Sequence, residues 1–161
     1  MDIIKTQWLV DDRLVISQLT GELTRTDIDY WIDSLESVLS RLPANQTFHV
    51  FFNLVGFKAD SLETHKKFRS VIPLTMADYG WKVGYVDLFD EASRLIYQTK
   101  RGIRSLTAAH AHHDATKMAA YEERFGRDAE HFFTDPIQAE AWIRSVSRGT
   151  FAHRAADHSE I

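Results

Sequence analysis

The sequence predicts an α/β fold built on a mixed, mainly parallel sheet, and three observations carry that expectation. Phe48 to Val55 form an almost unbroken apolar and β-branched run, interrupted only by His49 and Asn53. That is the composition of a strand covered on both faces, because a half-exposed strand would show a polar residue at every second position. Strand-like and helix-like segments then alternate along the chain, which implies parallel strands joined by helical crossovers. Finally, the first two strand-like runs are separated only by Asp11-Asp12, so the chain opens with a β-hairpin that gives the sheet an antiparallel edge.

Each element has its own signals. Ile3–Val10 and Arg13–Thr20 form the hairpin, with Leu14 and Ile16 on one face, Val15 and Leu19 on the other, and Gly21 ending the second strand. The first helix starts at Thr24 or Thr26, carries Asp27 and Asp29 at its positive end and stops before Pro43. Ile28, Trp31, Ile32, Leu35, Val38, Leu39 and Leu42 give it one apolar stripe, with Trp31 as its core anchor. After the central strand, Asp60 and Ser61 stand where a second helix begins, and Asp60 with Glu63 has the form of a capping box. Pro73 should end or kink that helix. Trp81–Phe89 then reads as a strand, and Glu91–Arg101 as a helix capped by Asp90 and closed by Gly102. Ile103–His113 is extended, Asp114 caps a short helix to Phe125, and Glu130–Thr134 is a strand. Asp135-Pro136 with Gln138 starts the last helix, whose buried face is Ala139, Trp142, Ile143 and Val146.

Length and composition bound the function. At 161 residues the chain fits one domain, assigned to residues 1–148, with 149–161 expected as a flexible tail because RGTFAHRAADHSEI lacks periodicity. With no cysteine there is no disulfide, thiolate metal site or cysteine nucleophile. The N-terminus lacks a signal-peptide pattern and no window approaches a membrane span, so a cytoplasmic location without an integral membrane segment is expected. A net charge of −4 argues against nucleic acid as a partner.

The layout resembles STAS domains, named for sulfate transporters and anti-sigma-factor antagonists, and especially their SpoIIAA-like branch. The residues that carry the resemblance are LVISQLTGELT before the first helix, the strand HVFFNLVGF, the Asp60-Ser61 elbow, and HFFTDPIQAEAWI at the end, spanning roughly residues 10–146. The resemblance implies helices packed over the sheet, no catalysis and no cofactor. Its expected partners are a nonpolar small molecule, a partner protein or a second copy of the chain. It also implies that Ser61, following Asp60, is a candidate regulatory phosphoserine. Leu62-Glu63 stand where the family has a small residue and glycine, which favours the helix cap for this pair.

Three functions follow as expectations. The leading one is a non-enzymatic module binding a nonpolar or amphipathic molecule, with Phe57, Phe68, Met76, Tyr97, His110 and His112 as candidate ligand-binding residues. The second is a regulatory protein–protein module with or without modification of Ser61. The third is a metal-dependent enzyme using His110 and His112, which a strand would turn to one face, although a third ligand is not evident. There is no P-loop, nucleotide-binding glycine motif or nucleophile elbow. Basic residues at Lys58, Lys66, Lys67 and Arg69, and again at Arg94, Lys100, Arg101 and Arg104, suit either a solvated face or an anionic head group.

Overall fold

A computed structural model describes residues 2–159, with side chains described through residue 149. The expected hairpin is present: β1 (Ile3–Leu9) pairs antiparallel with β2 (Leu14–Leu23). Its turn is wider than an Asp-Asp pair, a short 3-10 turn over Val10–Asp12 followed by Arg13 at φ 50°. The strands β3 (Thr47–Asn53), β5 (Arg104–Ala111) and β6 (Glu130–Phe133) extend the sheet in parallel from β2, giving the order β1-β2-β3-β5-β6. The α/β expectation with a mixed, mainly parallel sheet is therefore met.

β3 is covered on both sides, as its composition predicts. Phe48, Val50 and Phe52 enter the larger core with Trp31, Leu35 and Leu39 of α1 (Arg25–Leu39) and Val71, Ile72 and Met76 of α2 (Leu62–Ala77). Phe51 enters the opposite core with Leu14, Ile16, and Ala139 and Ile143 of α4 (Pro136–Ser159). Helices thus cover both faces of the sheet, while α3 (Ala115–Phe125) packs beside β6. Trp31 is fully buried, and its indole N–H donates to the buried Ser17 hydroxyl at 2.8 Å, so the anchor leaves no polar group unpaired.

Thr24 is the cap of α1: its hydroxyl accepts from the Asp27 N–H, and the Asp27 carboxylate accepts from the Thr24 N–H. Thr24→Ala removes half of this reciprocal box at an exposed position, so a loss of about 1 kcal/mol is expected in urea unfolding. An unchanged midpoint would contradict it.

Several local expectations are corrected. Gly21 does not end β2; at φ 112° it marks where the strand changes partner from β3 to a short strand, β4 (Phe57–Ala59). That φ strains any residue with a Cβ, and an added Cβ would also displace the Asp2 side chain, so the position favours glycine. The elbow consequently follows β4 rather than the central strand. Its cap is Ser61, not Asp60: the Ser61 hydroxyl accepts from the Thr64 N–H, and Asp60 instead accepts from the Thr64 hydroxyl at 2.6 Å. Pro73 lies inside α2, which runs on to Ala77. Proline lacks the N–H that would bond the Arg69 carbonyl, but burial of Val71, Ile72, Met76 and Ala77 holds the helix together.

The largest departure is residues 81–102, which form neither the expected strand nor the expected helix. Trp81–Phe89 pairs with no strand of the sheet and holds only a short 3-10 turn over Val86–Leu88, its Gly84 N–H being taken by the Glu130 side chain. Beyond it the backbone donors are drawn elsewhere. The expected α-helix is reduced to 3-10 turns over Asp90–Arg94 and Lys100–Gly102, and between them Gln98 N–H bonds the Ala77 carbonyl and Lys100 N–H the Asp78 carbonyl, so the chain around Thr99 runs antiparallel to the end of α2. At the other end the backbone of α4 is helical to Ser159, into residues 149–161 where a flexible tail is expected; the side chains of 150–159 and residues 1, 160 and 161 lie outside the described residues.

Candidate functional site

A cavity of about 160 Å3 lies at the C-terminal end of β5, between α2 and α3. Four residues of α2 at helical spacing, His65, Phe68, Arg69 and Ile72, form one wall. Lys117, Met118 and Tyr121 of α3 form another. His110 and Phe132 supply the floor from β5 and β6, and Tyr85 and Phe89 close it from the irregular segment. The lining is mainly aromatic and aliphatic, with a few polar tips.

The floor is built across strands. His110 is in register with Phe52 on one side and Phe132 on the other, and the three rings stand nearly parallel, 5.7 Å and 4.7 Å apart centre to centre. Beneath the cavity His110 Nε2–H donates to the buried carboxylate of Glu130 at 2.7 Å. The other oxygen of Glu130 accepts from the Gly84 N–H and from Arg127, each at 3.0 Å. Burial alone would push the Glu130 carboxyl up, but the His110 hydrogen bond, the charges of His110 and Arg127, and the Gly84 N–H together hold it below its ordinary value.

Glu130 is also what fixes the irregular segment over the sheet. Arg127, oriented by Glu130, donates to the Lys82 carbonyl at 2.8 Å and lies 4.7 Å from the centre of the Trp81 ring. Gly84 is closely packed, since a Cβ would lie 3.0 Å from Phe125 Cβ and 3.1 Å from the Glu130 carboxylate and would press both aside. The next residue, Tyr85, packs on His110, Phe89, Tyr121 and Phe132. Burial, reinforced by Glu130, raises its phenol above the usual range, so Tyr85 stays neutral.

At the rim, His112 accepts from the Asp114 N–H through Nδ1 at 3.0 Å, which leaves the proton on Nε2. Burial, then the neighbouring His113 and Lys117, lower its pKa to about 4, so the ring is neutral at neutral pH. His65 is lowered too, first by burial and then by Lys117 and Arg69.

Of the six candidate ligand-binding residues, Phe68, His110 and His112 line this cavity. Phe57 does not: its ring packs tilted against Phe68, 4.4 Å between centres, and belongs to the core. Met76 is 1% exposed in the same core, three turns of α2 away from His65. Tyr97 is 40% exposed and lines none of it, because the helix expected to carry it toward the elbow does not form. Ser61 and Asp60 are exposed and occupied as the start of α2. His110 and His112 do share the cavity, but Glu130 takes Nε2 of the first and Asp114 takes Nδ1 of the second. No group of three or more His, Asp or Glu placed to hold a metal occurs among the described residues. Nor is any described helix long and apolar enough to cross a membrane.

Glu130, Tyr85 and Lys117 complete the site without having been singled out from the sequence. The α3 residues were legible as Lys117-Met118 and Tyr121 on one helical face; Tyr85 was hidden inside an apparent strand. No family model, curated protein or solved structure matches this chain.

Proposed function

We propose that this chain is a non-catalytic, STAS-like α/β module that binds a small nonpolar or amphipathic molecule in the cavity between α2 and α3. The observation that carries the reading is the cavity itself, about 160 Å3 and walled by Phe68, Tyr85, Phe89, Met118, Tyr121 and Phe132. An apolar void of roughly 150 Å3 is enough to admit a benzene-sized molecule. Its position at the C-terminal end of a parallel strand is where open α/β sheets commonly hold ligands. The absence of a positioned serine nucleophile beside His110 among the lining residues favours binding over group transfer. A groove of about 320 Å3 between α2 and residues 86–95 shares Arg69 and Phe89 with the cavity and gives a longer ligand somewhere to extend.

Toluene and ethylbenzene are suitable probes. Added to the isotopically labelled chain, either should shift the side-chain resonances of Met118, Tyr85 and Phe132 and raise the melting temperature. Saturating ligand at about 100 times Kd should add about 2.7 kcal/mol of stability. Resonances that stay in place up to the solubility limit of both probes would refute the reading.

A further inference from the structure

We propose that the ligand is a monoanion, an aromatic or short branched carboxylate, whose apolar body fills the cavity and whose charged end rests at the rim beside Lys117 and Arg69. This rests on the cavity being a ligand site and specifies what enters it.

The first argument is charge placement. The chain as a whole is acidic, with 23 Asp and Glu against 19 Lys and Arg. The cavity lining reverses that balance: it contains Lys117 and Arg69, three histidines, and no aspartate or glutamate. The one carboxylate close beneath it, Glu130, is buried and taken up by His110, Arg127 and the Gly84 N–H. It is therefore not free to balance the rim cations, and the carboxylates at the margin are Glu91, 3.7 Å from Arg69, and Asp114, which caps α3 one turn before Lys117.

The second argument is partnership. Lys117 makes no ion pair among the described residues; its ammonium lies 5.4 Å from the centre of the Tyr121 ring, held over one of the cavity walls. Arg69 lies 5.5 Å from the centre of the Phe89 ring, and its nearest carboxylate, Glu91, is 3.7 Å away on an exposed surface where such a pair contributes little. Both cations are thus fixed by aromatic rings that also wall the cavity, which joins a charged rim to an apolar interior. The lowered values of His65 and His112, after burial, reflect the same local positive field.

The third argument is the number of donors. The Lys117 ammonium and the Arg69 guanidinium, the latter loosely paired with exposed Glu91, supply the charge at the mouth, and neutral His112 keeps an Nε2–H to donate. A phosphate dianion would carry twice the charge into the same apolar mouth, at a higher desolvation cost.

Titration of the full chain with benzoate, benzamide and benzylamine tests this at neutral pH, because the three share one ring and differ in charge. Benzoate should bind at least about tenfold more tightly than either of the others, a difference of about 1.4 kcal/mol, and the preference should shrink as salt is added. Lys117→Met should cut the ratio of benzoate to benzamide affinity by roughly that tenfold, and Lys117→Arg should restore the ratio. Equal binding of benzoate and benzamide to the native chain would overturn the anion and leave the cavity as a ligand site. No binding of any of them, together with silent toluene and ethylbenzene titrations, would overturn both. Tighter benzylamine than benzoate would reverse the sign of the rim and refute the inference.

Discussion

Glu130→Ala is expected to lower the unfolding free energy by about 3–5 kcal/mol, the cost of removing one partner from a buried ionic cluster. The carboxylate is fully buried and accepts from His110, Gly84 and Arg127 together. Alanine strands the His110 imidazole and the Gly84 N–H without acceptors. It also frees Arg127, and with it the hold on Lys82 and Trp81. Because these contacts position Tyr85, probe binding should be lost along with stability. Glu130→Gln keeps the shape and one acceptor and should be less damaging. The pH dependence has a definite sign. The Glu130 carboxyl is held below its ordinary value of 4.5, so it binds fewer protons folded than unfolded. Its contribution is fully present above that value and is lost as pH falls through the folded value; the alanine variant should therefore lose stability less steeply with acid than the native chain does. Urea unfolding across that range measures both effects. A loss under about 1 kcal/mol would show that the cluster only breaks even against an apolar replacement.

The sheet and four of the helices are readable in the sequence because their signals are local and agree with one another. Thr24 with Asp27, Asp114 before α3, and Asp135-Pro136 before α4 each place a cap ahead of an apolar stripe, and the fold uses all three. Residues 81–102 depart from expectation because their apolar residues have β-like and helix-like spacing, while their conformation is decided by distant groups. Gly84 answers to Glu130, and Gln98 and Lys100 answer to the carbonyls closing α2. No local pattern reports a bond made 46 residues away. The same cause explains the site. The stripe His65-Phe68-Arg69-Ile72 is visible in α2, but the cavity appears only when α3 and Tyr85 are brought opposite it. Phe57 and Met76 were sound choices of buried apolar residues, yet burial does not separate a core position from a cavity wall.

Met118 offers the sharpest functional test, since it is the buried residue of α3 and stands in the cavity wall. Met118→Trp should fill much of the roughly 160 Å3 void with a rigid indole, and probe affinity should fall at least about a hundredfold, some 2.7 kcal/mol. Overpacking in a tight core costs about 1–3 kcal/mol, but here the new volume enters space that is already empty, so thermal stability should change little or rise. Met118→Ala works in the opposite direction. It should cost about 2–5 kcal/mol and enlarge the site, shifting preference from toluene toward bulkier rings. The two variants together separate a ligand cavity from a packing defect: a defect predicts that both change stability alone, whereas a ligand site predicts opposite changes in affinity. If Met118→Trp binds the probes as the native chain does, the ligand lies instead in the groove between α2 and residues 86–95. Arg69 and Phe89, which border both spaces, would then be the residues to carry forward.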